Sequence, residues 1–166
     1  GPVSQPFDLH DLIVTKVRSA EEMYTAATSV FPFMDIAVMS AAVADYTPKE
    51  KSGEKIKKKE EEWSLSFIRT RDILKSLGSV KKANQLLIGF ALETQNEKEH
   101  ALAKLSSKNA DMIVLNSLND AGAGFGHDTN KITIFDKEGH TYTLDLKLKK
   151  EVAKDIVDLI IIKSNV

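Results

Sequence analysis

The stretch Asp35-Ile-Ala-Val-Met-Ser-Ala-Ala-Val-Ala-Asp-Tyr-Thr-Pro48 decides the fold of this chain. It begins with an apolar run without alternation, which predicts a strand covered on both faces of a sheet. Small residues follow, and Asp45 stands among them as a single carboxylate. Open parallel sheets bind ligands at the carboxyl ends of their strands. The segment therefore indicates a site for a nucleotide or another phosphate-bearing ligand. A turn of small residues selected for packing, with Asp45 solvated, is the alternative interpretation.

The same apolar pattern recurs along the chain, with helical patterns between the runs. Residues 85–91 and 111–115 predict two more buried strands. Residues 12–17 are β-rich and predict a further strand, and residues 63–68 alternate as in a half-exposed strand. Helices are predicted to start near residues 19, 72, 96 and 149, and a turn signal at 136–140 predicts a late hairpin. These patterns predict an α/β fold: a Rossmann-like layered sheet, mostly parallel with a late antiparallel hairpin, flanked by helices.

Length and composition limit the class of protein. The 166 residues suit one domain, and the formal net charge of -1 gives no overall field that would attract nucleic acid or anionic lipid. The absence of cysteine excludes disulfides and thiolate chemistry, and the four histidines show no metal-ligand spacing. No apolar run approaches the ~20 residues of a membrane span. We expect a single domain over residues 1–166 in the cytoplasm, with neither nucleic acid nor membrane as a partner.

Lysines are concentrated at two places that suit an anionic ligand. In residues 49–62, eleven of fourteen residues are charged, six Lys and five Glu, so the segment cannot bury a face of its own. Lys55 and its neighbours could form a mobile flap over a phosphate, or a solvated run that the adjacent glutamates neutralise. Lys104 and Lys108 lie four apart in a helical pattern and project from one face. They suit either an anion between them or an exposed helix surface.

The glycines of residues 121–126 do not form a dinucleotide fingerprint. That fingerprint joins a strand to the amino end of a helix, whereas this run leads into a strand. We interpret the run as a loop. A Gly-x-x-x-x-Gly-Lys-Ser/Thr phosphate loop is also missing from the sequence. These features disfavour a generic Rossmann-like oxidoreductase.

Several motifs follow one another in a fixed order along nearly the whole chain. They are Gly1-Pro-Val-Ser4, Ala20-Glu-Glu-Met23, Ala41-Ala-Val-Ala-Asp-Tyr46, Glu54-Lys-Ile-Lys-Lys58, Gly89-Phe-Ala-Leu-Glu-Thr94, Lys104 through Lys108-Asn-Ala-Asp111, Asn116 and Gly124-Phe-Gly-His-Asp-Thr-Asn130. This succession resembles phosphopantothenoylcysteine synthetase, the ligase portion of the bifunctional bacterial coenzyme A biosynthesis flavoprotein. Each motif is weak alone, but the ordered set is highly specific.

The resemblance implies a ligase that joins 4′-phosphopantothenate to cysteine through an acyl-cytidylate, with CTP as co-substrate and Mg2+ as cofactor. It implies a homodimer, and FMN only in a separate decarboxylase domain of the full protein. Lys55 is assigned to the reacting phosphate as the catalytic residue. The residues that the resemblance places at the nucleotide are Ala41, Ala42, Asp45, Lys55, Arg71, Asp72, Ile73, Leu74, Phe90, Lys104 and Lys108.

The sequence departs from the family pattern at its beginning. The family opens with a strand, a glycine-bearing turn and a Ser-Ser-Gly helix start that cradles phosphates, and this sequence starts after that segment. We therefore expect an amino-terminally incomplete synthetase domain. A catalytically silent nucleotide-binding or interaction fragment is the alternative function. Smaller departures at Arg71 and Leu92 leave the resemblance intact.

Overall fold

The computed structural model describes residues 12–50, 52–54, 63–117 and 127–164. Within these ranges, helices flank a five-stranded sheet, and two further short strands form a separate sheet. In chain order the elements are α1 (Ala20–Val30), a 3₁₀ helix (Phe31–Phe33), β1 (Ile36–Met39), β2 (Tyr46–Pro48), β3 (Phe67–Arg69), α2 (Ile73–Val80), β4 (Leu86–Glu93), α3 (Glu97–Ser107), β5 (Met112–Ser117), β6 (Thr129–Asp136), β7 (Thr141–Leu148) and α4 (Lys149–Ser164).

The main sheet combines parallel and antiparallel pairing. Its order is β1-β4-β5-β6-β7. The pairs β1–β4 and β4–β5 are parallel, whereas β5–β6 and β6–β7 are antiparallel. Four of the five strands therefore run in one direction, and β6 opposes them. The turn between β6 and β7 contains Gly139 at a φ of 91°, a conformation that glycine adopts without a Cβ clash. The predicted α/β class, with a mostly parallel sheet and a late hairpin, is confirmed.

Different helices cover the two faces of the sheet. On one face, α4 packs Val152, Ile156 and Ile160 against β4, β5 and β6. On the other, α3 packs Ala101 and Leu105 against the same three strands. The first four residues of β5 are consequently all buried. This two-sided burial explains why the sequence of β5 is apolar without alternation.

A third cluster attaches α1 and α2 to the start of β4. Phe31, Ile73, Leu77 and Leu87 are buried together in it. α1 starts near residue 19 as predicted, and Ser19 caps it, because its Oγ accepts the backbone N–H of Glu22 at 3.2 Å. None of the helices in the described ranges is long and apolar enough to cross a membrane.

Two sequence-based expectations are corrected. Residues 12–18 form no strand, so the strand predicted at 12–17 is wrong. Ile13 is fully exposed, and a β-rich run forms a strand only where a neighbouring strand packs beside it. The strand predicted at 63–68 is shifted, because β3 starts at Phe67 and pairs with β2 outside the main sheet.

The charged segment of residues 49–62 is only partly described. Residues 51 and 55–62, which include Lys55, lie outside the described residues. The proposed flap and the single-domain boundaries of residues 1–166 therefore stay predictions.

Candidate functional site

A cleft with a volume of ≈ 510 Å³ opens where β1 and β4 approach their carboxyl ends. The β2–β3 pair and the start of α2 supply further walls, and α3 contributes lysines. Ligands of open parallel sheets bind at this edge. The residues that line the cleft are Met39, Ala41, Val43, Asp45, Tyr46, Arg69, Thr70, Arg71, Asp72, Ile73, Leu74, Phe90, Lys104 and Lys108.

The cleft brings together most of the residues that the sequence assigns to the nucleotide. Nine of the eleven line it: Ala41, Asp45, Arg71, Asp72, Ile73, Leu74, Phe90, Lys104 and Lys108. Ala42 is described but does not line the cleft, although its neighbours Ala41 and Val43 do. Lys55 is outside the described residues. The shared location makes one common ligand geometrically feasible, and the individual contacts with a nucleotide stay predictions.

Gly89 lets the start of α2 pack directly on β4. A Cβ at this position would lie 2.5 Å from Leu74 Cδ2 and 2.9 Å from Ile113 Cδ1. The missing side chain therefore makes room for Leu74, which both lines the cleft and contacts the hydrophobic core. This close approach fixes the distance between the cleft wall formed by α2 and the strand that carries Phe90.

Asp72 has two roles at the start of α2. Its Oδ1 accepts the backbone N–H of Lys75 at 2.9 Å and caps the helix. Its Oδ2 forms an ion pair with Lys108 Nζ from the end of α3. Burial would raise the pKa of Asp72, but the hydrogen bonds from Lys108 and Lys75 outweigh it, so the pKa is lowered. Asp72 is thus ionised at neutral pH and holds Lys108 beside the cleft.

Glu93 holds the second cleft lysine in a similar way. It ends β4, and its side chain is 16% exposed. Its Oε1 lies 2.8 Å from Lys104 Nζ, and its Oε2 lies 3.1 Å from His100 Nδ1. Burial would raise the pKa of Glu93, but hydrogen bonds from Lys104 and His100 outweigh it and lower the pKa. Both carboxylate oxygens are therefore engaged by side chains of α3.

Arg71 lines the cleft, but its guanidinium is bound to α1. Its Nε donates to Glu21 Oε2 at 3.0 Å, and its Cζ lies 3.5 Å from the ring centre of Tyr24. An ion pair with Glu21 and stacking on Tyr24 neutralise and orient this charge. Arg71 therefore fastens the cleft wall to α1.

Sequence reasoning missed the cleft residues Tyr46 and Arg69 of the β2–β3 pair. Tyr46 faces Arg69 across this pair, and Arg69 Nε donates to Tyr46 Oη at 3.4 Å. Thr70 closes the pair, since its N–H donates to Asp45 O at 2.9 Å and its Oγ1 to Ala44 O at 2.7 Å. The alternation at residues 63–68 was the only signal of β3, and it did not reveal the partner strand.

Comparison with known proteins identifies the family. Residues 1–163 match the family described as DNA/pantothenate metabolism flavoprotein, C-terminal domain. The chain belongs to this family. The resemblance inferred from the order of the motifs is thereby confirmed.

Three relatives illustrate the match. A cysteine/cysteine sulfinic acid decarboxylase from an unknown prokaryotic organism is 52% identical over 157 residues, which are 95% of this chain and 44% of that protein. The coenzyme A biosynthesis bifunctional protein CoaBC of Bacillus subtilis (strain 168) is 46% identical over 159 residues, 95% of this chain and 38% of that protein. The crystal structure of the C-terminal domain of CoaBC matches with a TM-score of 0.77 at 40% identity, covering 98% of this chain and 72% of that chain. The chain therefore spans less than half the length of the two curated relatives.

Among the described residues of this flavoprotein C-terminal domain, carboxylates that could hold a metal lie at the β6–β7 turn and in the cleft. Asp136, Glu138 and His140 present ligand atoms within 4.8 Å of one another. Lys163 Nζ already lies 2.7 Å from Asp136 Oδ2, and the group lies near the amino end of β5, opposite the cleft. Within the described residues, Asp45 is the carboxylate that lines the cleft without an ion pair. Because Mg2+ is usually bound by one or two carboxylates plus substrate phosphates, Asp45 fits such a role.

Proposed function

We propose that the chain is the phosphopantothenate–cysteine ligase domain of coenzyme A biosynthesis. It would join 4′-phosphopantothenate to L-cysteine through an acyl-cytidylate formed from CTP. One observation supports this proposal above the others: Asp45, Phe90, Lys104 and Lys108 line one cleft at the carboxyl ends of parallel strands. The similarity to CoaBC of Bacillus subtilis supports the assignment to coenzyme A biosynthesis.

The proposed reaction explains why the cleft carries lysines. Activation brings the carboxylate of 4′-phosphopantothenate onto the α-phosphate of CTP, and pyrophosphate leaves. The amine of cysteine then attacks the acyl carbon, and CMP leaves with the bonding electrons. The first step brings two anionic groups together, and in the second step negative charge develops on the departing CMP. Preorganised positive charge therefore lowers both barriers. Lys104 and Lys108 would hold the nucleotide, and Lys55 would act at the reacting phosphate.

Magnesium is part of the same proposal. When bound, Mg2+ would screen the phosphates of CTP as a Lewis acid. Asp45 would hold it from the wall of the cleft together with phosphate oxygens. Phe90 would offer its ring and backbone to the nucleotide, since it lies in β4 and lines the cleft.

The setting of the domain is also proposed. We expect a cytoplasmic homodimer that uses CTP, 4′-phosphopantothenate and cysteine, with FMN confined to a separate decarboxylase domain of the full protein. The alternative is a domain that binds a nucleotide without turnover. The two differ in whether bound CTP is consumed.

A ligation assay tests the proposal. The intact protein is incubated with 4′-phosphopantothenate, cysteine, Mg2+ and either CTP or ATP, while pyrophosphate and the product mass are followed. We expect product with CTP, and omission of cysteine should stop CMP release. Binding of CTP without pyrophosphate release would favour the silent domain. No binding of either nucleotide would refute both.

One relative suggests a control in the same assay. It is named a decarboxylase and is 52% identical, but the similarity spans only 44% of its length. Decarboxylation is therefore not assigned to this part of the molecule. Measuring carbon dioxide released from cysteine and from cysteine sulfinic acid, without nucleotide, separates that activity from ligation.

A further inference from the structure

We infer that Glu93 is a positioning residue of the cleft, which acts on a bound nucleotide through Lys104. The inference rests on the proposed nucleotide site and adds a residue to it. Glu93 does not line the cleft, whereas Lys104 does. The ion pair of 2.8 Å between Glu93 Oε1 and Lys104 Nζ connects them.

The geometry makes Glu93 a rigid anchor. It is the last residue of β4, whose pairing with β5 continues to this position through Glu93 and Ser117. Its side chain is 16% exposed, whereas that of Lys104 is 39% exposed. The second carboxylate oxygen is fixed by His100 Nδ1 at 3.1 Å. A lysine has a flexible four-carbon stem, so a fixed partner limits the positions that its ammonium group samples.

The two cleft lysines are held from different elements. Asp72 at the start of α2 holds Lys108, and Glu93 at the end of β4 holds Lys104. Asp72 itself lines the cleft and can contact a ligand directly. Glu93 lies behind its lysine, so its influence on a ligand has to pass through that lysine.

Charge alone predicts the opposite effect from positioning. The negative charge of Glu93 repels a polyphosphate, so its removal should strengthen the binding of any simple anion. A positioned ammonium group favours one geometry, so the same removal should weaken a ligand that requires that geometry. Comparison of CTP with inorganic tripolyphosphate therefore separates the two effects.

The test uses calorimetric titration of CTP and of tripolyphosphate into the intact protein and its variants. For Glu93→Gln we expect CTP affinity to fall about tenfold, which is within the range of interaction energies between neighbouring side chains. Tripolyphosphate should bind at least as tightly as before. Glu93→Asp keeps the charge but shortens the reach, and it should also weaken CTP. Glu99→Gln is the matched control, because Glu99 is an exposed residue of α3 that does not line the cleft.

A double-mutant cycle decides whether Lys104 transmits the effect. In a Lys104→Met background, Glu93→Gln should no longer change CTP affinity. If Glu93→Gln still lowered CTP affinity to the same extent in the Lys104→Met background, the inference would be overturned. It would also be overturned if Glu93→Gln lowered the affinities for CTP and tripolyphosphate equally and lowered the melting temperature. CTP binding without ligation would refute the proposed function and leave the positioning role intact. If the wild-type protein bound no CTP, both would fail.

Discussion

The carboxylate of Asp111 accepts the backbone N–H of Leu87 at 2.7 Å, which ties the start of β5 to the start of β4. Asp111 is 3% exposed, and Lys81 and Lys137 lie 2.7 and 2.6 Å from its two oxygens. Burial would raise the pKa of Asp111, but hydrogen bonds from Lys137, Lys81 and Leu87 outweigh it and lower the pKa. One ionised side chain thus joins the parallel strands β4 and β5 at their amino ends, away from the cleft.

The first prediction concerns acid stability. Because the folded pKa of Asp111 is depressed, its contribution to stability is present above the unfolded pKa of about 3.9 and is lost as pH falls through the folded value. Asp111→Asn should reduce the free energy of unfolding at pH 7 by about 3 kcal/mol, since it leaves Lys81 buried without its partner. Between about pH 2 and 5 the variant should show a shallower loss of stability.

Urea denaturation followed by circular dichroism at several pH values measures both effects. Asp158→Asn is the control, because Asp158 forms an exposed pair with Lys154 on α4. An acid dependence of Asp111→Asn as steep as that of the wild type would contradict the role of this carboxylate.

The second prediction concerns the packing of α2 on β4. Gly89→Ala would place a Cβ 2.5 Å from Leu74 Cδ2 and should destabilise the protein by about 1–3 kcal/mol. Gly53→Ala is the matched control, because nothing lies within 4 Å of a Cβ at that position. The double variant Gly89→Ala/Leu74→Ala should lose less stability than the sum of the single variants. Additive losses in thermal denaturation would show that Leu74 is not the limiting contact.

The third prediction concerns the ion pairs that fasten α4 to the β6–β7 turn. Lys163 Nζ lies 2.7 Å from Asp136 Oδ2, and the Asp136 side chain is 1% exposed. Burial would raise the pKa of Asp136, but hydrogen bonds from Lys163 and His140 outweigh it and place the pKa well below its ordinary range. Lys163→Met should therefore cost about 2–4 kcal/mol of unfolding free energy, because it leaves a buried carboxylate without its ammonium partner.

Lys154→Met is the control for Lys163→Met. It breaks an i, i+4 pair on the same helix, where the two side chains are 75% and 50% exposed. Exposed pairs contribute little, so the stability should hardly change. Equal losses in the two variants, measured by guanidinium denaturation, would argue against a special role of the Asp136 site.

The fourth prediction concerns Lys55, which was assigned to the reacting phosphate from the sequence. Lys55→Gln should lower kcat about 100-fold or more while CTP affinity changes little, because charge that develops at the phosphate is stabilised mainly in the transition state. Lys58→Gln removes a charge from the same lysine run and should have a much smaller effect. Steady-state kinetics and CTP titration measure the two quantities. Equal losses in turnover and CTP affinity would remove the catalytic assignment.

The buried strands could be predicted because burial on both faces of a strand requires apolar side chains at successive positions. The first four residues of β5 are apolar because α3 and α4 cover both faces of the strand, and this pattern is visible without a structure. The strand pattern placed Asp45 at the carboxyl edge of the sheet, because ligands of open parallel sheets bind there. The meeting of Asp45 with Phe90 and Lys104 in one cleft was implied by the resemblance to the synthetase family.

The remaining features depend on partners that the local sequence does not specify. The strand predicted at residues 12–17 is wrong, and within the part of the chain that the structure describes no strand lies beside its apolar side chains. Arg71 was assigned to the nucleotide, but its partner Glu21 lies fifty residues away in the sequence. The pairing of Tyr46 with Arg69 is set by register across a long connection. Contacts between residues that are distant in the sequence produce no periodic pattern in the local sequence.

Lys104 and Lys108 both project from α3 and its C-cap, yet each forms an ion pair with a different element: Lys104 with the end of β4 and Lys108 with the start of α2. A shift of α3 along its axis would strain both ion pairs together. The fold, and not the ligand, therefore sets the separation of the two ammonium groups. An anion whose negative groups have the same separation would bind without rearrangement. An anion with a different spacing would have to break one of the two ion pairs first.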